Sequence, residues 1–191
     1  MERIGLYGGS FNPVHLGHLL VAQAAKEEVG LDRIAFIPAA ISPLKPEIKL
    51  APGSQRLRLL RLALSGFTDY EIDDQEIVRG GVSYTIDTVR HYATRFPQAK
   101  LYCLIGADQV QHLSLWREAN NLAQAVEFVV VPRPGEAPTS ASPPFRARSL
   151  RGFPFAVSAS QIRDRVRAGL CIDWLVPRAV AEAIRNEHLY L

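Results

Sequence analysis

The sequence predicts a doubly wound α/β domain with a parallel sheet and a small helical C-terminal part. Two observations carry this. Short apolar runs of strand length alternate with helix-length stretches along the chain. The first of them runs from Ile4 through a Gly8-Gly9-Ser10 turn into a helix and on to a second strand, closing a β-α-β unit within about forty residues, and such a crossover makes its two strands parallel. At 191 residues one substantial core is expected and two are not, so residues 1–191 read as one domain, with 158–191 as its helical C-terminal part.

Leu16 to Val29 is rich in Leu and Ala and predicts a helix, stopped by Gly30 in a left-handed cap. Arg33 to Ile37 is a short buried strand ending at Pro38. The proline-rich stretch from Ala39 to Gly53 has no period and is a loop. It begins at a strand's C-terminal end, where open α/β sheets place their ligands. Ser54 to Ser65 predicts a helix with Leu57, Leu60 and Leu64 inward and Arg58, Arg61 and Ser65 in water. Arg56 shares a side with Leu60 and Ala63; it leans on the domain or an anionic partner there, or snorkels as a structural arginine.

Tyr70 to Ile72 and Glu76 to Val78 are short strand candidates. Thr85 reads as an N-cap with Asp87 in the first turn, so a helix runs from Ile86 to about Phe96. Lys100 to Ile105 is strongly strand-like and ends in Gly106-Ala107-Asp108, followed by a helix from Gln109 to Leu113. Leu122 to Ala125 is helical, and Val126 to Val131 is an apolar strand closed by Pro132. Arg133 to Pro144 reads as a flexible loop. Phe155 to Val157 is a last short strand, and Ser158 with Gln161 forms a capping box that opens a helix ending at Gly169. Pro177 opens the final helix at its first position.

Composition narrows the function. Hydrophobic residues make up 48% and charged ones 21%, as in a soluble globular enzyme. The net charge of +3 is mild and its Lys and Arg are scattered, which favours small anionic ligands and gives no nucleic-acid footprint. Cys103 and Cys171 lie far apart with no zinc spacing, so no protein-held metal is expected and Cys103 reads as a buried free thiol. With no signal peptide and no membrane-length apolar run, the expected location is the cytoplasm; oligomeric state is left open.

The chemistry gathers at the first turn. Gly8 and Gly9 let backbone approach a ligand, and the helix that follows presents unpaired N–H groups and the positive end of its dipole. His15 and His18 share a face of its first turn if the helix has begun by His15. Two imidazoles that take charge at modest cost near neutral pH can grip a polyphosphate. The segment is neither a Walker A loop nor the dinucleotide fingerprint. Later features have two readings each. Lys45 is a cation that closes on phosphates or a solvated lysine. Asp108 holds a ribose hydroxyl, caps the next helix, or does both. Trp116 packs in the core or stacks on a flat ring. Arg163, with Ser158 and Ser160, suits phosphate oxygens or decorates an ordinary capped helix.

Gly8-Gly9-Ser10-Phe11-Asn12-Pro13-Val14-His15-Leu16-Gly17-His18 resembles the signature of the nucleotidyltransferase superfamily that shares its ATP-binding motif with class I aminoacyl-tRNA synthetases. Together with Lys45, Ser83-Tyr84-Thr85, Ile105-Gly106-Ala107-Asp108, Trp116, Val157 to Arg163 and the closing Leu189-Tyr190, it resembles the bacterial nicotinate-nucleotide adenylyltransferases along its whole length. The resemblance implies a Rossmann-like fold and transfer of AMP from ATP to nicotinate mononucleotide. It implies that His15, His18 and Arg163 are catalytic and that Gly8, Gly9, Ser10, Phe11, Ser158, Ser160 and Ile162 complete the ATP site. Lys45, Tyr84, Thr85, Gly106, Asp108, Trp116 and Arg133 would bind the acceptor nucleotide, and Mg²⁺ would ride on the phosphates. The chain departs from the family at Asn12, often Asp; at Ser158-Ala159-Ser160, often Ser-Ser-Thr; and at Leu44-Lys45, usually His-Lys, which removes one phosphate donor. Rivals are another phosphate acceptor, such as the amide nucleotide or phosphopantetheine, and a nucleotide sensor without turnover. No nucleic-acid or membrane partner is implied.

Overall fold

Six parallel strands in the order β3-β2-β1-β4-β5-β6 form the sheet of the computed structural model, which describes residues 1–43, 50–132, 141–153 and 155–191. The strands are β1 (Arg3–Gly9), β2 (Arg33–Pro38), β3 (Tyr70–Ile72), β4 (Lys100–Gly106), β5 (Val126–Val131) and β6 (Ala147–Ser149), and each neighbouring pair is parallel. The expected doubly wound parallel sheet is therefore present. Its strand order reverses between β1 and β4, and in such sheets a crevice opens beyond the carboxyl ends of the strands on either side of that reversal.

The alternation of side chains explains why both faces are covered. Ile34, Phe36, Tyr102, Leu104 and Val129 point to a core shared with α1 (Leu16–Val29), α2 (Gly53–Leu64), α7 (Ala159–Arg167) and α8 (Arg178–Asn186). Ile4, Leu6, Ala35, Ile37, Leu101, Cys103 and Phe128 point the other way, against α4 (Thr85–Arg95), α5 (Ala107–Val110) and α6 (Ala119–Ala125). Each fully buried side chain such as Phe36 contributes about 2 kcal/mol. Cys103 is a buried free thiol as expected.

α1 starts and stops where its sequence predicts, with Gly30 at φ 71 as the left-handed stop. Other expectations need correction. Glu76 to Val78 is not a strand but part of α3 (Gln75–Arg79). The Asp73 carboxylate accepts the Gln75 N–H at 2.9 Å to start the turn, and Gly80 at φ 68 stops it. The apolar look of this segment misleads, since Val78 is exposed and Glu76 is the buried residue.

Phe155 to Val157 is not a strand either. The place beside β5 is taken by β6, and the chain beyond it makes a local turn, with the Phe155 N–H on the Phe153 carbonyl at 2.8 Å. The 109–113 helix proves to be α5 followed by a 3-10 turn, Leu113–Leu115. Two caps shift by one residue: Tyr84, not Thr85, is the N-cap of α4, and Pro177 is the N-cap of α8 with the helix starting at Arg178. Lys45 and Arg133 lie outside the described residues. Among the described residues no helix is long and apolar enough to cross a membrane.

Candidate functional site

The cleft at the strand reversal has a volume of about 970 Å³ and is walled by the turn after β1, the chain after β2, and the openings of α4 and α7. That size suits a ligand of nucleotide dimensions.

His15 is the N-cap of α1 in extended conformation, so the helix has not begun there, yet its ring still meets that of His18 at 3.7 Å between centroids. The His15 backbone N–H donates to His18 Nδ1 at 3.2 Å. A ring nitrogen that accepts a hydrogen bond carries no proton, so neutral His18 carries its proton on Nε2. Phe11 backs the His18 ring at 4.9 Å, edge-on. Gly17 leaves room for the pair, because a Cβ there would lie 3.0 Å from the His15 ring and 3.1 Å from Val157 Cγ1, and those side chains would have to give way.

Neither imidazole takes charge at modest cost, which corrects the simpler expectation. Burial lowers the His15 pKa to about 4, and burial together with the neighbouring His15 holds His18 well below the usual histidine range. Both rings are neutral at pH 7 and act as dipolar donors. This has a consequence for stability. Unfolded His15 takes up a proton as pH falls through 6.5, whereas the folded residue waits until about 4. The stability it contributes is therefore full above 6.5 and is lost towards pH 4, by about 3 kcal/mol. We expect thermal melts of His15→Gln to fall less steeply between pH 7 and pH 4 than those of the parent. Equal slopes would remove His15 from the account.

Arg163 crosses from α7 to the same turn. Its Nη1 donates to the Asn12 carbonyl at 2.7 Å and its Nη2 to Ser160 Oγ at 3.1 Å. The capping box forms as expected: the Gln161 N–H donates to Ser158 Oγ at 3.2 Å and the Ser158 N–H to Gln161 Oε1 at 2.9 Å. Gly8, Gly9, Ser10, Ser158 and Ser160 line the cleft with both histidines and Arg163. The side chains of Phe11 and Ile162 are instead fully buried in the core beneath it.

At the far end Tyr84, Thr85, Gly106 and Trp116 line the cleft. The Ser83 hydroxyl accepts the Ala40 N–H at 2.9 Å, which ties the opening of α4 to the chain after β2. Trp116 packs in the core and also borders the cleft. One edge meets Phe128 in the core at 6.2 Å, and the ring also lines the cleft, with its buried Nε1 lacking a partner among the described residues. Asp108 does not cap α5, since Gly106 occupies that position. Its carboxylate folds back over Gly106, where a Cβ would lie 2.6 Å from Asp108 Oδ1, so a side chain there would have to displace it.

Three residues of the cleft were missed or undervalued. Asn12 Oδ1 accepts the Ala51 N–H at 3.1 Å, so the side chain that departs from the family pattern has a definite structural task. Arg117 stands over the Tyr84 ring at 4.7 Å, with Asp87 3.8 Å away. Its place directly after Trp116 was the available signal. Arg56 does not snorkel: it is 2% exposed, with its charged head inside. Among the described residues no cluster of His, Cys, Asp or Glu is arranged to hold a metal ion.

Comparison with known proteins finds similarity along most of the chain. The family described as "Cytidylyltransferase-like" matches residues 6–165. A protein of Opitutus terrae named "Probable nicotinate-nucleotide adenylyltransferase" is 42% identical over 191 residues, covering 98% of this chain and 97% of that protein. One of Geobacillus kaustophilus with the same name is 39% identical, covering 100% and 87%. The nicotinic acid mononucleotide adenylyltransferase of Plasmodium falciparum, solved with NaAD, superposes with a TM-score of 0.79 at 17% identity, covering 100% and 98% of the two chains, and so shares the fold.

Proposed function

We propose a function from one premise: the chain belongs to the nicotinate-nucleotide adenylyltransferases, within the cytidylyltransferase-like family. It transfers AMP from ATP to nicotinate mononucleotide, giving nicotinate adenine dinucleotide and pyrophosphate on the route to NAD. The observation that carries this reading is the meeting of His15, His18 and Arg163 along one cleft, at a turn held by Arg163 itself.

The reaction forms a bond between an oxygen of the acceptor's 5′-phosphate and the α-phosphorus of ATP, and breaks the bond from that phosphorus to the bridging oxygen of the leaving pyrophosphate. No protein nucleophile is needed, so the work is positioning and charge stabilisation. His18 Nε2–H donates to an α-phosphate oxygen, and its tautomer is fixed in advance by the His15 N–H. Arg163, with Ser158, Ser160 and the first N–H groups of α7, receives the β- and γ-phosphates. The glycines beside β1 admit the nucleotide close to the backbone.

The acceptor lies at the other end. Trp116 stacks on the pyridine ring, and the free N–H groups at the start of α4, beside Tyr84 and Thr85, receive its carboxylate, with the Arg117 cation adjacent. Asp108 and Gly106 face its ribose, and Lys45 and Arg133 are assigned to the same nucleotide. The donors at the phosphate end are imidazoles, hydroxyls and a guanidinium rather than carboxylates, which fits a Mg²⁺ ion carried by the phosphates with its waters. When bound, that ion neutralises charge on the leaving pyrophosphate. Two free cysteines and the use of ATP suit a cytoplasmic enzyme.

The test is pyrophosphate release from ATP and Mg²⁺, with nicotinate mononucleotide and its amide analogue side by side. The acid acceptor should show a kcat/KM at least tenfold higher. Equal turnover would remove the carboxylate pocket and leave nucleotidyl transfer standing; no turnover with either would remove the reading as a whole.

A further inference from the structure

Arg56 sits in the first turns of α2 with its side chain 2% exposed, yet it lines the cleft. Among the described residues its guanidinium meets only carbonyl oxygens: Nε donates to Ala51 at 2.9 Å, and Nη1 donates to Ser10 at 2.9 Å and to Ala39 at 2.8 Å. These carbonyls belong to the turn after β1, the chain after β2 and the segment leading into α2, so one side chain ties three walls of the cleft together. Among the described residues no carboxylate bonds to it. A buried cation normally has an anion beside it, because carbonyl dipoles alone do not offset the loss of water around a full charge. Burial accordingly holds the Arg56 pKa below the usual arginine range.

The surroundings point to an anion bound in the cleft. Arg56 holds the Ser10 carbonyl and Arg163 the Asn12 carbonyl, one on each side of Phe11, whose φ of 44 lies in the left-handed region. Two guanidinia therefore clamp one strained turn, the turn that leads into His15 and His18. Tyr190 near the C-terminus feels both of them: burial pushes its phenol up to about 12, and Arg163 and Arg56 pull the other way. Among the described residues the cleft is lined by Arg56, Arg117 and Arg163 against one carboxylate, Glu76, which is occupied by the Thr88 hydroxyl at 2.5 Å.

We propose that Arg56 is a positioning residue of the triphosphate subsite, holding the Ser10–Asn12 turn in place from beneath while its buried charge, bonded to no carboxylate among the described residues, takes the polyphosphate as its counter-ion. The assignment rests on the reading of the cleft as an ATP site and says nothing about the acceptor.

The experiment measures ATP·Mg²⁺ binding by titration calorimetry without acceptor, at two ionic strengths, together with melting temperature, for the parent, Arg56→Lys and Arg56→Met. Lysine keeps the charge but cannot make the three-carbonyl clamp; methionine keeps neither. Both should melt lower than the parent by similar amounts. Arg56→Met should bind ATP at least tenfold more weakly and with a flatter salt dependence, whereas Arg56→Lys should stay within about threefold of the parent. Equal ATP affinity in the two variants would reduce Arg56 to a structural clamp and overturn the proposal. If Arg56→Met does not fold, Arg56→Lys decides alone, and a tenfold loss of ATP affinity there overturns it. Because acceptor is absent from the binding measurement, an error in the acceptor's identity would show in the turnover assay and not here.

Discussion

Replacing His18 with alanine should lower kcat by two orders of magnitude or more while leaving the KM for ATP within a few-fold. The ring is held before any nucleotide arrives: Nδ1 is occupied by the His15 N–H, and Phe11 and Tyr7 flank it at 4.9 and 6.1 Å between centroids. Nε2–H is thus aimed by the fold, and its neutrality, enforced by burial and by His15, means that it stabilises developing charge as a fixed dipole. Removing one preorganised donor of this kind costs about 10²–10³ in kcat, or roughly 3–4 kcal/mol. An interaction that strengthens only as charge develops lowers kcat more than it raises KM. The variant also leaves the His15 N–H unbonded at the helix opening, so a stability loss of about 1 kcal/mol should accompany it. Single-turnover pyrophosphate release separates the two effects, since a purely structural loss would be recovered by cooling and a lost donor would not. Parental kcat in His18→Ala would displace the catalytic centre from this turn.

How much of this was legible in advance follows from how local each determinant is. α1 was read to the residue because its apolar pattern, its left-handed stop and its opening turn are all encoded within one stretch of chain. The capping box of α7 was equally plain, being a contact between Ser158 and Gln161, three residues apart. β6 was invisible: Ala147–Ser149 is a three-residue edge strand with no apolar alternation, and only its pairing with β5 makes it a strand. α3 was misread because hydrophobicity stood in for burial, and the fold buries Glu76 while exposing Val78.

In the site, residue identities were legible and electrostatics were not. The histidines' neutrality comes from burial and, for His18, from the neighbouring His15, and the extent of burial is not reported by spacing. The anchoring of Arg163 on the Asn12 carbonyl spans 151 residues of sequence. Arg56 gave a partial signal, since it stood on the apolar side of its helix, but the carbonyls that receive it lie on three separate segments.

That long-range anchoring supports the second large effect. Arg163→Ala should lower kcat/KM for ATP by about 10²–10³, with much of the loss in KM. The guanidinium is already oriented by the Asn12 carbonyl and the Ser160 hydroxyl, so its remaining donors meet phosphate oxygens without a further ordering cost. Its loss leaves the α7 cap intact, because Ser158 and Gln161 bond each other, and the helix stays pinned by fully buried Ile162. The folded structure should therefore survive, with circular dichroism unchanged and only a modest fall in melting temperature. Arg163→Lys should recover less than a tenth of the parental kcat/KM, since a single ammonium cannot hold the turn and two phosphate oxygens with one planar fork. A lysine variant close to the parent would mean that α7 contributes charge alone. An alanine variant close to the parent would mean that the leaving pyrophosphate lies elsewhere in the cleft.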